Sequence, residues 1–207
     1  MAQAGTAERV AEYPPGTART MVVTAAIIAA MLQLIDISIV NVSLREIAGS
    51  IGATTVEIAW VVTAYAVSNV IMIPLAGMFS DLFGRRNYFT ISIIIFTIAS
   101  AFCGLAHSLN EIIFWRFVQG LGGGGLLTSA QTIIVGAYPP EKISMANAIF
   151  GMGVMIGPTI GPTLGGWLTE DFSWHWIFLV NIPVGMLAAY LSWNYVHDRA
   201  GAVRPPP

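Results

Sequence analysis

The chain has 207 residues, 56% of them hydrophobic and only 10% charged, with a formal net charge of -2 and a mean hydropathy of +0.73. A soluble domain carries about 25% charged residues, so this chain cannot cover a water-facing surface. The composition excludes a soluble enzyme and a nucleic-acid binder and places the protein in a lipid bilayer. The single Cys103 excludes an intrachain disulfide.

Residues 1–20 read as a small, polar tail, and the apolar run that follows is too long for the core of a cleaved signal peptide. A spanning helix needs about 20 mostly apolar residues. Six segments meet that need: 21–44, 56–76, 88–106, 112–137, 143–168 and 176–196. The connections between them are short, so neighbours run antiparallel. Residues 197–207 read as a second tail, ending in Pro205-Pro206-Pro207, where the chain stops about where a seventh span would begin. The expected fold is therefore all-α, six transmembrane helices and no soluble domain.

Arginine and lysine sort by side. Arg9, Arg19, Arg85, Arg86, Lys142, Arg199 and Arg204 fall on one side of the six spans, and Arg45 alone falls in a loop on the other. By the positive-inside rule both termini are cytoplasmic, in a multi-pass cell-membrane protein.

Two loops align without gaps. Gly77-x-x-x-Asp81-x-Phe83-Gly84-x-x-x-x-Phe89 matches Gly166-x-x-x-Glu170-x-Phe172-Ser173-x-x-x-x-Phe178. Each follows the second helix of a three-helix group, one on each side of the membrane. The spacing predicts two inverted three-helix repeats, 21–106 and 112–196, a building plan of secondary transporters.

Four segments carry chemistry. The first, Leu34-Ile-Asp36-Ile-Ser-Ile-Val-Asn41-Val-Ser-Leu44, puts an acid inside a span. There it must be protonated, paired or turned to a watery cavity, which makes Asp36 a candidate proton carrier. The second, Gly77-Met-Phe-Ser-Asp81-Leu-Phe-Gly84-Arg85-Arg86, sets an acid and two arginines in a tight turn. The third, Arg116-Phe-Val-Gln119-Gly120-Leu-Gly122-Gly-Gly-Gly125, buries a charge that does not titrate. Its glycines also fit G-x-G-x-x-G, but no strand precedes them and no lysine completes a phosphate loop, so they read as close helix packing. The fourth runs Gly153-Val-Met-Ile-Gly157-Pro158-Thr-Ile-Gly161-Pro162-Thr-Leu-Gly165-Gly166. Glycines recur there every four residues, which clears one helix face, and the two prolines favour a bend.

Together these segments resemble the motifs of the drug:proton antiporter branch of the major facilitator superfamily, nearest its fourteen-helix EmrB/QacA-like members. The resemblance covers almost the whole chain but only the N-terminal half of such a transporter. It implies proton-coupled export of small hydrophobic or cationic compounds, with no cofactor and no metal. Asp36 and Arg116 would couple protons, while Gly77, Asp81, Gly84, Arg85 and Arg86 would form a loop that sets the inward–outward equilibrium. The residues Gly153, Gly157, Pro158, Gly161, Pro162, Gly165 and Gly166 would form the antiporter helix motif.

Where the family usually has proline after Leu44, this chain has Arg45, which leaves the end of the first helix open. Where it usually has arginine after Trp174, this chain has His175.

Asp36 and Arg116 lie about 12 Å and 6–8 Å inside the outer ends of their helices at 1.5 Å per residue, near enough to pair. Pairing favours the ionised carboxylate and separation restores its hold on a proton. Gln33, Asn41, Asn69, Gln119 and Gln131 are the remaining polar candidates for a substrate cavity. Two alternatives stand beside the multidrug reading. One is an exporter or symporter of a specific metabolite. The other is a non-transporting membrane fragment that needs a second six-helix half, on the same or another chain.

Overall fold

In a computed structural model the described residues are 13 and 16–198. Arg9, Arg199, Arg204 and the terminal prolines lie outside them. Among the described residues the chain is helical, with no strand. Eight helices occur in order: α1 (Thr17–Ile51), α2 (Thr55–Phe83), α3 (Arg85–Gly104), α4 (Leu109–Gly123), α5 (Leu126–Gly136), α6 (Ile143–Asp171), α7 (Trp176–Leu179) and α8 (Asn181–Tyr195).

Among the described residues, five segments are long and apolar enough to cross a membrane: Thr17–Ile51, Thr55–Phe83, Arg85–Gly104, Pro140–Asp171 and Trp176–Tyr195. The expected span at 112–137 is present but divided. α4 stops at Gly123 and α5 starts at Leu126. The cause lies in the four glycines from Gly122 to Gly125, which resist helix by conformational entropy. The last span is also stepped, with α7 ending at Leu179 and α8 starting at Asn181. Pro183 has no N–H to give the carbonyl of residue 179, so the ladder is interrupted there.

Helix ends follow local rules. Thr54 and Glu57 form a reciprocal capping box at the start of α2. Ser108 caps α4 by accepting from the Glu111 N–H at 3.4 Å. α1 is longer than expected at both ends, 35 residues or about 52 Å, and residues 17–20 of the expected tail belong to it. With Arg45 in place of a proline, nothing stops the helix until Gly52, which takes φ 73°.

The helix contacts respect the repeat. α1 packs on α6, α2 on α4, α3 on α4 and α8, and α1 on α8. Exchanging the first group (α1, α2, α3) with the second (α4–α5, α6, α7–α8) turns the α1–α6 contact into α4–α2 and the α3–α4 contact into α8–α1, and leaves α3–α8 in place. The matched loop positions have matched environments as well. Phe83 is 57% exposed and Phe172 58%, while Phe89 and Phe178 are both fully buried. A Cβ on either Gly77 or Gly166 would touch nothing.

The α1–α6 seam is made of glycine. Gly153, Gly157, Gly161 and Gly165 are buried. A Cβ would lie 2.8 Å from Ile27 Cγ2 at Gly153 and 2.7 Å from Leu34 Cβ at Gly157, and at Gly161 it would strike Ser38. Gly166, Pro158 and Pro162 are off this seam. Each lies one residue beyond a seam glycine, about 100° round the helix; the prolines are exposed and a Cβ on Gly166 meets open space. α6 runs unbroken through both prolines.

Gly157→Ala should therefore overpack the seam and cost about 1–3 kcal/mol, read as a lower thermal midpoint in detergent. Gly166→Ala should leave the midpoint unchanged.

Candidate functional site

The centre of the bundle holds one ion pair. Asp36 of α1 and Arg116 of α4 are 0% and 1% exposed, and Arg116 Nη1 donates to Asp36 Oδ2 at 2.6 Å. Two opposite charges without solvent are tolerated only when their remaining hydrogen-bonding capacity is met. Gln119, one turn on in α4, donates from Nε2 to Asp36 Oδ1 at 2.8 Å and accepts from Arg116 Nη1 at 2.8 Å. Asn181 of α8 donates to the same Asp36 Oδ1 at 2.9 Å and to Ser100 Oγ of α3 at 2.9 Å. Ser100 in turn donates to the Phe178 carbonyl at 2.9 Å.

α2 holds the other side of the arginine. Arg116 Nε donates to the Val61 carbonyl at 3.5 Å, and one turn later the Tyr65 ring lies 4.2 Å from the guanidinium carbon. This is the geometry of a cation–π contact. α1, α2, α3, α4 and α8 therefore meet at one buried polar cluster.

Beside the pair is a hollow of about 260 Å³. Ile37 and Asn41 of α1, five residues of α2 (Val62, Tyr65, Ala66, Asn69, Val70) and Arg116 line it. Asn69 accepts from Gln33 Nε2 at 3.2 Å and donates to the Gly120 carbonyl at 3.4 Å. Of the polar candidates read from the sequence, Asp36, Arg116 and Gln119 form the cluster. Gln33, Asn41 and Asn69 stand in or next to the hollow. Gln131 does not join them; it is exposed on α5.

The turn between α2 and α3 is built by a glycine and a distant carboxylate. Gly84 has φ 86°, and a Cβ there would lie 2.8 Å from both Asp198 carboxylate oxygens. Asp198 Oδ1 accepts from the Arg86 N–H at 3.0 Å, which caps a helix that has no side-chain cap of its own. Arg85 Nη2 donates to the His197 carbonyl at 3.1 Å, and the Arg86 guanidinium lies 4.3 Å from the Trp193 ring centre. Gly77 and Asp81 are exposed.

Asn181, Ser100 and Asp198 were not among the site residues expected from the sequence. Asn181 carried a visible signal, a lone amide in the apolar run Ile177–Gly185. Asp198 carried none, because its partner is 112 residues away.

At the opposite end, His175 stacks on Trp174 with ring centres 3.8 Å apart. Burial, with a smaller contribution from His107, pushes its imidazole below the usual histidine range.

Asp36→Asn alone, or Arg116→Met alone, should cost about 3–5 kcal/mol by leaving one buried charge unpaired, and the double variant should cost less than the sum. Asp198→Ala should cost about 1 kcal/mol, as loss of an N-cap does. Thermal unfolding in detergent checks both.

Residues 26–207 match the Major Facilitator Superfamily. Over 198 residues the chain is 36% identical to the fatty acid resistance protein FarB of Neisseria gonorrhoeae, covering 94% of this chain and 39% of that protein. It is 35% identical to the multidrug export protein EmrB of Haemophilus influenzae, covering 93% of this chain and 38% of that one. The chain thus spans well under half the length of these curated relatives. Among solved structures, the proton:xylose symporter XylE superposes with a TM-score of 0.76 at 15% identity, over 87% of this chain and 45% of that one. A bacterial homolog of the human lysosomal transporter Spinster, in an inward-facing unoccupied conformation, gives 0.74 at 24% identity, over 94% and 46%. At these identities the structures speak for the fold.

Proposed function

The chain belongs to the Major Facilitator Superfamily, and on that footing we propose that it serves as one six-helix half of a proton-coupled exporter of small hydrophobic or cationic compounds. One observation carries the reading. A carboxylate on a helix long and apolar enough to span a bilayer pairs at 2.6 Å with an arginine of the neighbouring α4, and both are inaccessible to solvent. Beside them a mostly apolar hollow offers a few amides and a phenol. The names of the relatives, multidrug export above all, supply the class of cargo.

In this mechanism the pair is the coupling device. While Arg116 faces Asp36, the guanidinium, Gln119 and Asn181 occupy both carboxylate oxygens. When helix movement draws the arginine away, the carboxyl takes up a proton, because a lone charge inside the membrane is too costly. Gln119 and Asn181 hold the carboxylate in register through either step. The 77–86 turn, on the cytoplasmic side with both termini, is the gating element. Asp198 ties it to the chain that leaves α8. The α1–α6 glycine seam is a smooth surface on which two helices can rock. A second six-helix unit completes the transport path.

Substrate-dependent proton flux in proteoliposomes tests the proposal. Export should move protons opposite to the cargo, whereas flux in the same direction would make the protein a symporter. Arg116→Gln should alter the pH dependence of transport, and an unaltered profile would remove Arg116 from the coupling. Mass measurement and cross-linking in detergent should reveal a second six-helix unit bound to this one.

A further inference from the structure

α8 ends without the glycine that commonly closes a helix. The chain turns extended at Val196, with φ -76° and ψ 131°, so the next N–H, that of His197, has no helical carbonyl to bond. Tyr13, ahead of α1, receives it. The Tyr13 hydroxyl accepts from the His197 N–H at 2.8 Å and donates to the His197 carbonyl at 3.5 Å. One phenol thus engages both main-chain groups of a residue 184 positions away. Tyr13 is 3% exposed and belongs to the core that also holds Val22, Val23 and Val196.

The groups that Tyr13 touches are themselves tied to other segments. Its carbonyl accepts from Arg19 Nη2 at 2.9 Å, and the Arg19 guanidinium lies 5.2 Å from the ring centre of Tyr138, just past α5. The His197 carbonyl that Tyr13 holds also accepts from Arg85 Nη2 at 3.1 Å. The next residue, Asp198, accepts from the Arg86 N–H at 3.0 Å, at a helix start with no side-chain cap of its own. Residues 196–198 are outside any helix, so the place of the Asp198 carboxylate depends on what holds His197. These links run from the first helix group, at Arg19, Arg85 and Arg86, to the second, at Tyr138 and His197. They cross between the repeats at this end of the bundle, as the ion pair does at its centre.

We propose that Tyr13 is a positioning residue for the 77–86 turn. The segment that carries it is a strap: it fixes the chain leaving α8, and that chain holds Asp198 on the start of α3 and the His197 carbonyl on Arg85. Release of the strap frees the turn and leaves the helices packed. As a control on transport the strap rests on the gating role proposed above; as a brace on the turn it does not.

Amide hydrogen exchange of the full chain in proteoliposomes tests it. No cargo and no proton gradient are present, so this test and the transport test fail independently. Tyr13→Phe keeps the ring in the core and removes only the hydroxyl. It should speed exchange of residues 84–88 about fivefold, the effect of one lost hydrogen bond, while the α1–α6 seam exchanges as before. In an Asp198→Ala background, where the Arg86 N–H has already lost its acceptor, the same substitution should add nothing. Unchanged exchange at 84–88 would overturn the strap, as would equal acceleration with and without Asp198. Acceleration spread evenly over all the helices would overturn it too, because Tyr13 would then serve general packing and not the turn.

Discussion

The pairing of Asp36 with Arg116 is the constraint to which the bundle answers. Two full charges in an apolar medium are stable only together, and only with their spare donors and acceptors engaged. The partners come from helices far apart in the chain. Gln119 comes from α4 itself and Asn181 from α8, with Ser100 of α3 behind it. The Val61 carbonyl and the Tyr65 ring come from α2. The polar cluster therefore sets the relative position of five helices, which apolar contacts alone would leave free to slide.

Such short bonds demand close backbones. In lipid there is no hydrophobic force pressing one helix on another, so association relies on shape and small residues. α6 meets α1 through glycines spaced four apart. α4 meets α2 through Gly120 and Gly124, and α3 through Gly122. The run from Gly122 to Gly125 thus serves two neighbours at once, and its consequence is the interruption between α4 and α5. Tyr88 lies against that interruption, at Gly125, and it is there because no side chain occupies the space.

The repeat gives the molecule its symmetry, and the departures from symmetry are where chemistry sits. Phe83 and Phe172 share one environment and Phe89 and Phe178 another, as two copies of one unit should. Gly84 differs from Ser173 because a carboxylate, Asp198, occupies the space a Cβ would need. Arg85 and Arg86 have no counterpart in the second loop. They join α3 to the end of α8 through His197 and Trp193. Asp36 and Arg116 lie in the first helices of the two groups, so the ion pair spans the line between the repeats.

Much of this was legible in the chain. Hydropathy located the helices because a bilayer requires long apolar runs. The depth of Asp36 and Arg116 predicted their meeting because both positions follow from a constant rise per residue. Glycine spacing disclosed a side-chain-free face on α6 because a helix turns by a constant angle, and the structure supplied α1 as the helix that packs there. What failed was everything that depends on another segment. Helix continuity also failed at the glycine run, for the local reason that four successive glycines resist helix. Gln131 was polar and within a span, yet its face of α5 points away from the cluster. Asn181, Ser100 and Asp198 take their roles from partners about 80 to 145 residues away, and no local pattern encodes such a distance. The sequence alone determined which segments cross a membrane and which charges must find a partner, because both are properties of short stretches in a given solvent. Only the tertiary structure decided which partners they find, because hydrogen bonds are short and directional, and their ends are brought together by the packing of helices remote in the chain.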